Sequence, residues 1–302
     1  MASTLTDLRQ KVHFRSGDTT CAAWHYPGTT GGCVIMAGGT AVTKEPGTDR
    51  FAERFHDAGF TVLAFDFRHF GESGGEPRQV VRIGEQLDDW DAAIAFARTL
   101  PEVDPERVAL WGFSLAGGHV FRVASRDPRL AAVIAQTPLA DARAAAPNAI
   151  RHATVRTFLR LTGRGVLDAL GGLLGREPRL VPLAGPPGTV ASLSTPDALD
   201  GDRALNPGNR YSQWRQQVAA RSVLAIGFYR PGRAAPRVRC PLLVVVCDDD
   251  QSALAAPAVR AAGRAPRGEV AHLAGGHYEP FLDGHEETVA TELSFLRRHL
   301  LA

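Results

Sequence analysis

The chain has 302 residues, 44% of them hydrophobic and 22% charged, with 31 glycines and 20 prolines. That is globular composition, and it is long enough to bury one large core without disulfide or metal staples. Its 34 basic and 32 acidic residues leave a net charge of +2, and the basic ones, arginines apart from Lys11 and Lys44, are scattered singly, so no nucleic-acid partner is expected. Residues 1–20 hold no apolar signal segment, and no run approaches the roughly eighteen apolar residues of a spanning helix. A soluble, cytoplasmic protein without a membrane partner is expected.

Taken in chain order, strands are predicted at 20–26, 33–37, 60–66, 107–113, 130–136, 241–247 and 268–273. Helices are predicted between them at about 48–58, 84–98, 115–126, 254–263 and 285–300. The run at 242–247 (LLVVVC) is apolar throughout, which is how a strand reads when helices cover both faces of its sheet. The alternation implies an α/β architecture with a mostly parallel, doubly wound sheet. Between 139 and 238 the rhythm breaks. This stretch starts Ala-rich, turns Pro/Gly-rich and ends in a second amphipathic segment. Phe158, Leu161, Leu167, Leu170, Leu173 and Leu174 make it too apolar for a linker. It is expected to be a strandless helical cap, with residues 1–138 and 239–302 as the core.

Cys21, Cys33, Cys240 and Cys247 form no CxxC pair and no metal-ligand cluster, so no metal is expected. The absence of a P-loop lysine and of an early G-x-G-x-x-G leaves no cofactor implied.

The strongest local signal is RVALWGFSLAGGH at 107–119, where a strand runs into a sharp turn at Ser114 and then into a helix. Small residues at Gly112, Ala116 and Gly117 make that turn sterically possible. It would expose the Ser114 hydroxyl at a helix N-terminus, where backbone N–H groups favour developing negative charge. A serine needs an adjacent base. His277 follows strand 268–273 through Ala274-Gly275-Gly276 and is the one of ten histidines with such a post-strand glycine turn. His119, on the helix after Ser114, is expected to pack beneath the turn. The orienting acid is sought at Asp248-Asp249-Asp250, after strand 241–247. Asp250 is preferred because it stands clear of the sheet edge, with Asp248 second and Asp141 a less favoured substitute.

The order Ser114, Asp250, His277 resembles that of the α/β-hydrolase superfamily, and the likeness spans nearly the whole chain outside 139–238. Residues 65–75 (FDFRHFGESGG) resemble that family's D-x-R-G-x-G-x-S-x-G turn. The resemblance implies an α/β-hydrolase fold with a helical cap after strand 130–136, Ser114 as nucleophile, Asp250 as acid and His277 as base. It makes the backbone N–H groups of Leu115 and Thr40 the oxyanion donors. Many relatives carry His-Gly-x where this chain has Gly38-Gly39-Thr40, a change expected to remove a brace and leave room near the oxyanion. The implied reaction is cleavage of an ester, thioester or similar acyl bond in a small, largely apolar substrate. Phe158, Trp214, Phe228 and Tyr229 are candidates for its pocket. Bacterial natural-product tailoring hydrolases share this arrangement, and some are lyases or cyclases, so elimination or cyclisation stays open. So does a non-catalytic ligand-binding protein.

Overall fold

The computed structural model describes residues 9–301. Eight strands form one sheet in the order β1-β2-β4-β3-β5-β6-β9-β10. They are β1 (Gln10–Ser16), β2 (Thr19–Tyr26), β3 (Cys33–Ala37), β4 (Thr61–Phe65), β5 (Val108–Phe113), β6 (Ala132–Gln136), β9 (Leu242–Cys247) and β10 (Gly268–Leu273). β1 and β2 run antiparallel to their neighbours, and every pairing from β4 to β10 is parallel.

Every residue of β3, β4, β5, β6 and β9 is buried, because helices cover the sheet on both sides. These helices are α1 (Lys44–Asp57), α2 (Ile83–Ala97), α3 (Leu115–Ala124), α8 (Ala255–Ala262) and α9 (His285–Leu300). Phe51 of α1 meets Trp111, Phe281 and His285 edge-on or tilted, while Phe65 and Phe67 meet Trp90 of α2.

Two features depart from the sequence reading. β1 was not expected: its burial alternates, Phe14 and Ser16 facing in while Lys11 and Arg15 face solvent. Residues 139–238 are not strandless either. Between β6 and β9 lie α4 (Ala142–His152), α5 (Val155–Leu173), β7 (Leu180–Pro182), α6 (Asp200–Leu205), β8 (Gln217–Ala219) and α7 (Ala220–Gly227). β7 and β8 pair antiparallel, with Val181 opposite Val218. This excursion is stapled by the buried Asp168 carboxylate. It accepts the Arg179 N–H at 2.7 Å and both the backbone N–H and the Nε–H of Arg221 at 2.9 Å. Gly165 lets α5 approach α7, since a Cβ there would lie 2.8 Å from Leu224 Cγ. The excursion joins the core through Gln79, whose carbonyl accepts the Ala219 N–H and whose side chain donates to the Gln217 carbonyl at 2.6 Å.

Candidate active site

Ser114 occupies the step between β5 and α3 with φ 57° and ψ −114°, a left-handed conformation that costs a non-glycine residue about 1–3 kcal/mol. Gly112 makes the turn possible, because a Cβ there would lie 2.4 Å from the Ala116 carbonyl oxygen. The turn is held by the Ser114 N–H donating to the Gln136 carbonyl at 3.0 Å and by the Ser114 carbonyl accepting from Gly118 and Leu139.

His277 is 1% exposed and follows β10 through Gly275, whose φ of +107° only glycine adopts readily. Its Nδ1–H donates to Asp250 Oδ2 at 2.7 Å. That carboxylate fixes the ring proton on Nδ1, leaving Nε2 to accept the Ser114 hydroxyl at 3.0 Å. Asp250 is itself oriented, because Oδ1 accepts the Ser252 and Ala253 N–H groups at 2.8 and 2.7 Å. Burial alone would push the His277 pKa down. The Asp250 charge and hydrogen bond, with Asp197 adding to them, carry it above the ordinary histidine value.

The other two acids lie elsewhere. Asp248 pairs with His272 in an exposed position, and Asp141 caps α4 and pairs with Arg230. His119 is fully buried between Tyr229 Oη and Gln86 Oε1, and burial pushes its pKa down to about 3.

Leu115 stands at the first position of α3, where a helix leaves its N–H unpaired. Thr40 lines the same cavity as Ser114 and His277. Gly39 lies against Ser114, and a Cβ there would sit 2.9 Å from Ser114 Cβ. Val42 packs against Gly38, its carbonyl oxygen 2.8 Å from where a Gly38 Cβ would stand. The expected loss of a brace is made good from other elements. Trp214 Nε1–H donates to the Ala41 carbonyl at 2.8 Å, and the Lys44 N–H donates to Asp66 Oδ1 at 2.7 Å.

Ser114 opens into an apolar cavity of about 530 Å3, whose walls include Leu139, Ile150, Phe158, Leu161, Val223 and Phe228. Phe158 and Phe228 thus stand where the sequence reading put them. Trp214 and Tyr229 do not. Trp214 borders a different, polar cavity of about 590 Å3 with Lys44, Glu72 and Arg78, drawn there by its bond to Ala41. Tyr229 is buried against His119 because its hydroxyl needs a partner once it is desolvated.

One carboxylate beside the site escaped the sequence reading. Asp197, on the 3-10 turn Pro196–Leu199, is 8% exposed and accepts hydrogen bonds from both the Asp250 loop and the His277 loop. No strand end or glycine turn marks it in the sequence.

A model of the alpha/beta hydrolase family matches residues 38–291. The chain belongs to that family. The quorum-quenching protein AidA of Acinetobacter baumannii (strain MDR-ZJ06) is 42% identical over 293 residues, which cover 95% of this chain and 94% of AidA. The polyketide transferase ATR5 of Stachybotrys chlorohalonatus is 31% identical over 80% of each chain. Among solved structures, the alpha/beta hydrolase GrgF from Penicillium sp. sh18 matches with a TM-score of 0.79 at 23% identity, over 97% of this chain and 99% of GrgF, a likeness of fold. Among the described residues no helix is long and apolar enough to cross a membrane, and no cluster of three metal-ligating side chains occurs.

Proposed function

We propose that this hydrolase cleaves an ester, thioester or similarly activated acyl bond of a small, largely apolar substrate through an acyl-enzyme on Ser114. The observation that carries the reading is the unbroken relay from Asp250 through His277 to Ser114, opening into an apolar cavity. Ser114 Oγ attacks the acyl carbonyl as Nε2 of His277 takes its proton. The oxyanion is met by the N–H groups of Leu115 and Thr40. The imidazolium, stabilised by the carboxylate at Nδ1, then protonates the departing oxygen or sulfur. Water, deprotonated by the same nitrogen, releases the acid and restores Ser114.

In this reading the β6–β9 excursion serves as a cap, since its helices α4, α5 and α7 together with residues 189–195 supply most of the cavity wall. The likeness to AidA makes a diffusible cell-density signal bearing an apolar acyl group a substrate worth testing. Acyl hydrolysis is preferred to elimination or cyclisation because Ser114 Oγ stands hydrogen-bonded to the base, the pairing that covalent attack needs.

A panel of acyl p-nitrophenyl esters and acyl thioesters of graded chain length tests it. Turnover by the native protein, lost in both Ser114→Ala and His277→Ala, is expected. Activity that survives Ser114→Ala but not His277→Ala would point to elimination. Saturable binding without turnover in any form would leave only a binding protein.

A further inference from the structure

We infer that Asp197 is a positioning residue for His277, a second carboxylate contributed by the excursion that ties the acid and base loops together and holds negative charge beside the base. This inference rests on the acyl-transfer reading of the site above.

The geometry is specific. Asp197 Oδ2 accepts the Gln251 N–H at 2.8 Å, the Ser252 N–H at 3.3 Å and the His277 N–H at 3.3 Å. Oδ1 accepts the Ser252 hydroxyl at 2.9 Å. One carboxylate therefore bridges the loop after β9, which carries Asp250, and the loop after β10, which carries His277. Gly276 is part of the fit, because a Cβ there would lie 3.1 Å from Asp197 Cβ. Two further bonds hold the excursion to the acid loop. They are Asn148 Nδ2 to the Gln251 carbonyl at 2.8 Å and Thr195 Oγ1 with Ser252 Oγ at 2.7 Å.

A carboxylate receiving this many donors stays ionised. Burial pushes the Asp197 pKa up, but the His277 charge and the Gln251, Thr195 and Ser252 bonds outweigh it and leave it below the ordinary range. The groups around His277 are Asp250 from the β9 loop, Asp197 from the excursion and the Ser114 hydroxyl from the elbow. The rings of Phe113 and Tyr278 also touch it, the Cys247 thiol lies at the end of β9, Glu279 is on its own loop and Asp200 lies beyond Tyr278. No cation faces the imidazole among these groups, so the two nearby carboxylates set its basicity. The sign follows. Asp197 favours the imidazolium, so removing its charge lowers the His277 pKa. The neutral base then persists to lower pH, while the imidazolium formed during attack is less well stabilised.

The test is Asp197→Asn in the full chain, read in two ways. Nitrogen-15 NMR titration of the His277 ring needs no substrate and is expected to show its pKa lowered by about half to one unit. The acid limb of kcat/KM for a chromogenic acyl ester is expected to move to lower pH by the same amount, with kcat reduced. An unchanged His277 titration, with activity reduced equally at every pH, would overturn the inference and leave Asp197 a purely structural tie. If Asp197→Asn does not fold, Asp250→Asn supplies the reading. A His277 that still titrates at or above the ordinary histidine range supports the Asp197 charge, and one that falls to the low value of a buried, unpartnered ring overturns it. The acyl-transfer reading fails separately, through absence of turnover in the native protein, and that outcome leaves the titration result standing.

Discussion

The apolar cavity holding Ser114 and the polar cavity bordered by Trp214 are nearly equal in volume, about 530 and 590 Å3, and both touch the loop after β3. They differ in what their polar groups have left to do. In the polar cavity the buried Lys44 ammonium is already shared among Glu45, Asp66 and Glu72, and Asp66 also caps the start of α1 and accepts the Glu72 N–H. That chemistry is spent on holding the 38–44 loop in place. In the apolar cavity few polar groups reach the interior, yet the Ser114 oxygen, whose hydrogen goes to Nε2 of His277, keeps its lone pairs for a substrate, and the Leu115 N–H beside it has no partner within its helix. The contrast teaches that volume does not mark the site. Unspent hydrogen-bonding capacity beside the strained backbone of Ser114 does.

The largest expected effect separates the two cavities most clearly. Ser114→Ala should reduce acyl-ester kcat by about a thousandfold or more, with folding unchanged, as read by steady-state kinetics and circular dichroism. Next comes Lys44→Met, which leaves the Asp66 carboxylate buried without its cation and should cost about 3–5 kcal/mol in the urea unfolding free energy. If that variant kept full stability and changed KM instead, the polar cavity would be a binding site and the comparison would break. A smaller change is expected from Trp214→Phe. It keeps the packing but deletes one hydrogen bond to Ala41, worth about 0.5–1.5 kcal/mol, so kcat should fall about two- to tenfold with KM little altered. A rise in KM alone would return Trp214 to the substrate pocket.

Much of this arrangement was legible in the sequence because it is fixed locally. Strands 33–37 and 268–273 match β3 and β10 residue for residue. Ser114 and His277 each follow a strand through a turn that small residues must make, so their place at one sheet edge follows from chain order. Among three adjacent aspartates, distance from the strand end favours Asp250, and Asp250 is the one that meets His277. β1 was missed since its alternation is carried by few apolar residues and its outward side chains include Lys11 and Arg15. Inside the excursion, Trp214 and Tyr229 lie outside the short β7–β8 pair, so no sheet register aims their side chains. Trp214 and Tyr229 were therefore read as pocket aromatics when each is turned away by a single polar bond. Asp197 was invisible for the same reason, since its partners lie 54 to 80 residues away.

The central claim, that Ser114 is a nucleophile primed by His277, is tested most directly by covalent capture. The native protein incubated with a fluorophosphonate, followed by intact-mass and peptide analysis, should gain one phosphonyl group, on Ser114. Ser114→Ala should gain none, and His277→Ala should label far more slowly. A folded native protein that stays unlabelled, or is labelled equally after Ser114→Ala, would contradict the account.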